Sequence, residues 1–200
     1  FTGQTHYFYS VAQHSLLVSR LCRDLISNEA ALYGLVHDAH EALLTDMPTP
    51  MKLHLKQTCP GFAEEWERME ASADAIVLPL FGVDPEAIDP WIKRVVKWAD
   101  LCALDIERRT LMDTGPRRWD LPLPPRVHGY GGYVLQMRPE DVHSAFVKSA
   151  NELYAATRDG IYSKAAGRLP TAGLRRSFRE WNASTPLSQG MPDLQVYGLG

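Results

Sequence analysis

An acid sits inside the most apolar helix-patterned stretch of this chain. The run ALYGLVHDAHEALL spans residues 31–44, and Leu32, Leu35, Val36, Ala39 and Leu43 recur in it at helical spacing. A segment patterned this way buries one face. His37 and Asp38 stand side by side within it. Burying an unpaired carboxylate costs several kcal/mol, unless a cation or a strong hydrogen-bond donor compensates it. The segment therefore predicts a buried helix, Glu29 to Leu44 with Asn28 as cap, that carries a polar site on one side.

The rest of the chain reads the same way. Ser10 followed by Gln13 is a capping-box pair, and it opens a helix from Val11 to about Ile26. TDMPTP closes the second helix, because Pro48 and Pro50 cannot continue it. Residues Met51 to Pro60 read as irregular or as a short helical turn. A third helix is expected from Phe62 to Leu78. Asp89 caps and Pro90 opens a long helix reaching about Met112. Residues 113–132 are dense in proline and glycine and read as a long loop, and a last helix is expected over Pro139 to Thr157. From Gly167 onward the composition predicts an extended, partly ordered tail. Strand-like alternation is nearly absent. The fold class is all-α, a compact helical bundle over residues 1–166, followed by a Pro/Gly-rich C-terminal tail over residues 167–200.

With 200 residues and 45% hydrophobic content the chain suits one core-bearing domain. A formal charge of −3 gives no case for nucleic-acid coating. No apolar stretch approaches the length of a membrane span, and no signal peptide is seen. Cys22, Cys59 and Cys102 form no CxxC pair and fit a reducing compartment, so a cytoplasmic location is expected. The chain opens on Phe1 rather than Met, and a segment preceding it is expected. Amphipathic helical proteins of this size commonly self-associate, so a homo-oligomer is the expected state.

His14, His37, Asp38 and Asp100 lie on three different predicted helices. Neighbouring helices of a bundle can aim such side chains into one cavity. Two imidazoles and two carboxylates suit a dication of the Mn, Fe, Co, Ni or Zn type and leave positions for water and a phosphoryl oxygen. Taken singly, each is as well explained by an ion pair or a satisfied core polar group. Glu41 follows His37 by four positions and Asp38 by three, so it shares their side of the helix and can activate or orient water. Asp46 is either a second proton carrier or a turn aspartate ahead of Pro48. His40 either contacts substrate phosphate or packs on a neighbouring helix. Lys52 either adds a positive charge at the phosphate or faces solvent. Gln4, Thr5, His6, Tyr7 and Tyr9 precede the first helix and can wall a pocket. Trp98 either stacks a base or packs between helices, and Arg108 and Arg109 either line a phosphate entry or face solvent.

Three stretches, FTGQTHYFYSVAQHS, ALYGLVHDAHEALLTDMPTPMK and VKWADLCALDIERRTLM, resemble the HD-domain metal-dependent nucleotide phosphohydrolases. Two branches fit, the 5′-deoxynucleotidases and the phage deoxynucleoside (dATP) triphosphohydrolases. The resemblance implies that His14, His37, Asp38 and Asp100 bind a divalent metal (Co, Mn, Zn, Ni, Fe or Mg), and that Glu41 and Asp46 are the catalytic carboxylates. Further Mg carried with the substrate phosphates fits the same picture. Lys52 falls on the lysine that follows this family's Pro-Thr-Pro turn. The implied reaction is hydrolysis of a small deoxynucleotide by water activated at the metal. The wording of the first stretch, with His40, Arg108 and Arg109, leans toward release of triphosphate from a dNTP. The alternatives are cleavage of a dNMP to nucleoside and phosphate, and a non-catalytic metal-stabilised nucleotide-binding or regulatory domain. Gln4, His6, Tyr7, His40, Lys52, Trp98 and Arg109 are the candidate substrate contacts. The family's phosphate-holding arginine, which stands just before the Phe-Thr-Gly run, has no counterpart from Phe1 onward.

Overall fold

The computed structural model describes residues 4–112, 123–158 and 172–185. Among them all regular structure is helical: α1 Val11–Leu25, α2 Asn28–Val36, α3 Glu41–Leu44, α4 Thr49–Thr58, α5 Phe62–Val77, α6 Pro90–Leu111, α7 Pro139–Arg158 and α8 Ala172–Ser184, with short 3-10 turns at Leu78–Phe81 and Gly131–Tyr133.

The predicted caps explain where the two ligand-bearing helices begin. The Gln13 backbone N–H donates to Ser10 Oγ at 3.3 Å and the Ser10 N–H donates to Gln13 Oε1 at 3.1 Å, so both partners of the capping box are engaged. Asp89 Oδ1 accepts from the Trp91 N–H at 2.7 Å, ahead of the Pro90 that opens α6. α1, α2 and α6 pack together, and α7 lies against α1 and α2. Leu17, Leu21, Leu35 and Val95 belong to the buried core cluster these helices share. At Gly34 the α1–α2 contact is so close that a Cβ there would lie 3.0 Å from Cys22 Sγ. This close approach brings His14 and His37 to one end of the pair.

Three segments differ from the sequence-based expectation. The second helix is not continuous to Leu44. α2, capped by Ser27 Oγ, ends at Val36, and the chain turns through residues 37–40 before α3 resumes. Here Ala39 N–H bonds to Val36 C=O at 3.0 Å and Glu41 N–H to Asp38 C=O at 3.0 Å, three residues back rather than four. Such tightened turns advance each side chain by about 120° instead of 100°. Leu43, which a continuous helix would bury, is consequently 59% exposed. Second, residues 49–58 form the regular helix α4, because Pro50 falls in its first turn, where no backbone N–H is needed. Third, within the expected extended tail, residues 172–184 form α8. Leu174 and Phe178 of α8 are fully buried and Trp181 nearly so. In the loop predicted over 113–132, residues 123–130 are irregular and lead into the 3-10 turn at Gly131–Tyr133; residues 113–122, and tail residues 167–171 and 186–200, lie outside the described residues.

Candidate metal centre

His14 sits in the first turn of α1 and His37 directly after α2. Asp38 follows His37, and Asp100 sits mid-way along α6. His14 Nε2 lies 3.4 Å from Asp100 Oδ1 and 3.7 Å from Asp38 Oδ2, and His37 Nε2 lies 3.2 Å from Asp38 Oδ2. The two imidazole centroids are 5.5 Å apart. Donor atoms of His14, His37 and Asp100 all fall within 4.8 Å of one another. A dication about 2.1 Å from each ligand separates neighbouring ligand atoms by about 3 Å, so this spacing suits one shared ion.

The protonation pattern tests whether an ion belongs here. His37 Nδ1 lies 2.9 Å from the Gly34 carbonyl, which can only accept, so Nδ1 carries the proton. Burial holds the ring below its ordinary 6.5, despite the nearby carboxylates, so the ring is neutral at pH 7. Nε2 is therefore a bare lone pair, buried and without a hydrogen-bond donor, and it faces the Asp38 oxygen. Two acceptors opposed in this way repel unless a cation lies between them. The donor set fits a dication on this observation.

His14 is arranged differently. Its Nδ1 lies 2.9 and 3.1 Å from the two Glu107 oxygens, and Glu107 is 1% exposed. Glu107 Oε1 also accepts from the Tyr9 hydroxyl at 2.9 Å. Burial disfavours a charged His14, but Glu107 and Asp100 outweigh it and hold the ring well above 6.5. His14 Nε2–H faces Asp100 at 3.4 Å, and a metal ion held by Nε2 would take that proton's place. Burial would raise Asp100, yet His14 and Lys97 keep it well below the usual carboxylate range. Lys97 Nζ is 2.7 Å from Asp100 Oδ2, and the Lys97 side chain is exposed.

A second group adjoins the first. Donor atoms of Asp38, His40 and Glu41 lie within 4.8 Å of one another. Burial, then Asp38 and Asp46, push the Glu41 carboxyl up to about 7. Asp46, in the loop after α3, is thus close enough to act on Glu41 through its charge. His40 Nδ1 is 3.1 Å from Asp74 Oδ1 on α5, and this bond raises the imidazole above 6.5.

Two curated proteins are similar over most of the chain. The uncharacterized protein YfdR of Escherichia coli (strain K12) is 34% identical over 154 residues, covering 76% of this chain and 76% of its own length. The uncharacterized protein RCAP_rcc00048 of Rhodobacter capsulatus is 33% identical over 154 residues, covering 72% and 73%. The chain belongs to the family of these proteins. No family model matches it, and no solved structure does.

The other candidate residues of this family member fall in several places. Gln4 and His6 are exposed on the segment leading into α1, whose backbone is tied to the end of α6 by His6 N–H to Leu111 C=O at 2.9 Å. The Tyr7 hydroxyl donates to the Val134 carbonyl at 3.1 Å, which turns it toward the 3-10 turn at Gly131–Tyr133. Trp98 does not wall the site. It is two positions from Asp100, so it points to the far side of α6, where it is fully buried edge-on to Phe178 at 5.6 Å. Arg109 is nine positions from Asp100, about half a rotation away around the helix, and pairs with Asp105 at 2.9 Å. Arg108 pairs with the same carboxylate at 3.0 Å. Lys52 is bound to Glu70 at 2.6 Å and lies over the Trp66 ring. Glu107, Tyr9's link to it, Lys97 and Asp74 were not singled out from sequence as parts of the site. Glu107 carried a readable signal, since seven positions after Asp100 is the same helix face.

Proposed function

We propose that this protein is a divalent-metal-dependent phosphohydrolase of deoxynucleotides, built on an HD-type ligand set of His14, His37, Asp38 and Asp100. The single observation that carries the reading is the bare His37 Nε2 facing the Asp38 oxygen, an opposition that a cation relieves. A dication held there would supply positive charge for a phosphoryl oxygen and would lower the pKa of water at the site.

The chain's own groups account for the remaining steps. Glu41, with a carboxyl near 7, can take the proton of the attacking water at physiological pH. Water oxygen bonds to phosphorus, the bond from phosphorus to the 5′-oxygen breaks, and the leaving oxygen takes up a proton. Asp46, in the loop beside Glu41, is the group assigned to that proton. His40 is held by Asp74 through Nδ1, a bond that raises the imidazole above 6.5, and in its protonated form it would offer a positive Nε2–H to a phosphoryl oxygen.

The length of the phosphate chain is the finer point. His40, Arg108, Arg109 and the wording of the first stretch favoured a triphosphate. Both arginines pair with Asp105, which weakens that support, so the shorter substrate, a deoxynucleoside monophosphate, is put first and dNTP hydrolysis to nucleoside and triphosphate second.

The test is incubation with Mn²⁺ or Co²⁺ and a panel of dNMPs, dNTPs and their ribose counterparts, with products resolved by phosphorus NMR. Orthophosphate from dNMPs is expected. Triphosphate from dNTPs supports the second reading. No turnover of any nucleotide by metal-loaded protein overturns the phosphohydrolase reading and leaves a metal-stabilised binding domain.

A further inference from the structure

We infer that Glu107 is a positioning residue for the metal centre, and that the Tyr9 hydroxyl holds it there. The inference rests on the metal reading above and goes beyond the four ligands. Glu107 occupies the face of α6 that carries Asp100, two turns further on, and is 1% exposed. A buried carboxylate is kept only where donors meet it. Two do: His14 Nδ1–H reaches both of its oxygens at 2.9 and 3.1 Å, and the Tyr9 hydroxyl donates to one of them at 2.9 Å.

The consequence for His14 is geometric. With its Nδ1–H donated to Glu107, the only nitrogen left to bind an ion is Nε2, the one that faces Asp38 and Asp100. Glu107 thus fixes the ring rotation before any ion arrives, and it sets Nε2 as the nitrogen that gives up its proton to an ion. It also makes the imidazole a stronger donor, as an outer carboxylate does for a metal-bound histidine. His37 has only the neutral Gly34 carbonyl in the corresponding place. The two imidazoles are therefore unequal ligands, and His14 is the more basic. Tyr9 adds a tether: it lies just before the Ser10 cap of α1, so it ties the start of the His14 helix to α6.

The experiment uses the full chain and three variants, Glu107→Gln, Glu107→Leu and Tyr9→Phe, and measures Co²⁺ affinity by calorimetry without nucleotide. Glu107→Gln keeps an acceptor for His14 but loses the charge, and Co²⁺ binding is expected to weaken about 10-fold. Glu107→Leu removes both, and a loss approaching about 100-fold is expected. Tyr9→Phe is expected to weaken binding less than either. Nitrogen-15 NMR of the His14 ring supplies a readout that a merely structural role would not move. In the Zn²⁺-loaded wild type the Nδ1–H form is expected, and in Glu107→Leu a mixture of ring states. Should Glu107→Leu fail to fold, Glu107→Gln and Tyr9→Phe carry the test alone. Folded Glu107→Gln with wild-type Co²⁺ affinity and an unchanged His14 spectrum overturns the inference. A wild-type protein that takes up no Co²⁺ overturns the metal reading itself. Absence of nucleotide turnover with these affinity losses intact overturns only the substrate assignment.

Discussion

Asp100 and Glu107 approach opposite nitrogens of one imidazole. Asp100 Oδ1 is 3.4 Å from His14 Nε2, and Glu107 Oε1 is 2.9 Å from His14 Nδ1. One face of α6 therefore supplies both an ion-facing acid and the acid behind the ligand. The neighbouring His37 lacks such a partner and is kept neutral by burial. The site accordingly holds one ring that would have to give up a proton to accept an ion and one that is ready as it stands. Ion binding is expected to weaken as pH falls through the raised range of His14, with proton release on binding.

His37→Ala removes the ready ligand. Co²⁺ affinity is expected to fall by more than the roughly 10–100-fold that loss of an outer hydrogen-bond partner costs. The fold should persist, because the His37 ring contributes little to the apolar core that α1, α2 and α6 share. Elemental analysis of the purified variant, alongside circular dichroism, checks both halves. A variant that retains a full complement of metal would remove His37 from the ligand set.

The helices that carry the site were largely legible because their signals are local. Ser10, Gln13 and Asp89 announce helix starts within four residues, and the apolar spacing around His37 announces a buried face. What was not legible depends on tertiary choice. The break after Val36 interrupts a run whose apolar period continues unbroken, so no composition change marks it. α8 was hidden by its Pro/Gly-rich flanks, although Leu174, Phe178 and Trp181 recur at helical spacing, the stripe its core docking uses. The pairing of Lys52 with Glu70 joins α4 to α5 and could not be read from either alone. The pairing of Arg109 with Asp105 was readable as a four-residue helix pair, and so was Glu107 as a heptad partner of Asp100.

Glu41→Gln separates catalysis from metal binding and from stability. Activity is expected to drop about 10²–10⁴-fold with metal retained, the usual scale for loss of a general base. Stability should move the other way at alkaline pH. In the unfolded chain Glu41 titrates near 4.5, and in the fold at about 7. The folded state therefore holds a proton that the unfolded state has lost between these values. The stability this supplies is full below 4.5 and is lost as pH rises through 7. Glutamine is neutral throughout and escapes that loss. Chelator-treated Glu41→Gln is expected to melt above wild type at pH 8 and level with it at pH 4.5. Equal melting temperatures at both values would contradict the raised carboxyl.

Gly34 sets the spacing of α1, which carries His14, and α2, which His37 directly follows. A Cβ there would meet Cys22 Sγ at 3.0 Å and Val18 Cγ1 at 3.3 Å. Both neighbours are short and fully buried, with little room to give. Gly34→Ala is expected to cost about 1–3 kcal/mol by overpacking, offset in part by about 1 kcal/mol of helix propensity. Cys22→Ala in the same chain removes the tighter contact, so the double variant should recover part of the loss. Urea unfolding of the four proteins measures the coupling. Additive effects would mean that α1 and α2 separate freely at this point.

Thr45 carries strain between the two catalytic candidates. Its φ is 65° and ψ is 155°, a combination open to glycine and unfavourable for a β-branched residue. The residue follows α3 directly, where its N–H still bonds to the Glu41 carbonyl at 2.9 Å, and its side chain is exposed. This conformation turns the chain from Glu41 toward Asp46. Thr45→Gly removes the Cβ clash, worth about 1–3 kcal/mol, against a backbone-entropy cost of about 1 kcal/mol. A net gain in stability is expected from urea unfolding, with metal affinity unchanged because no ligand moves. Turnover per bound metal should hold or fall slightly, since a looser turn positions Asp46 less firmly. A Thr45→Gly variant that is clearly less stable than wild type would mean that the threonine side chain makes contacts that outweigh its backbone strain.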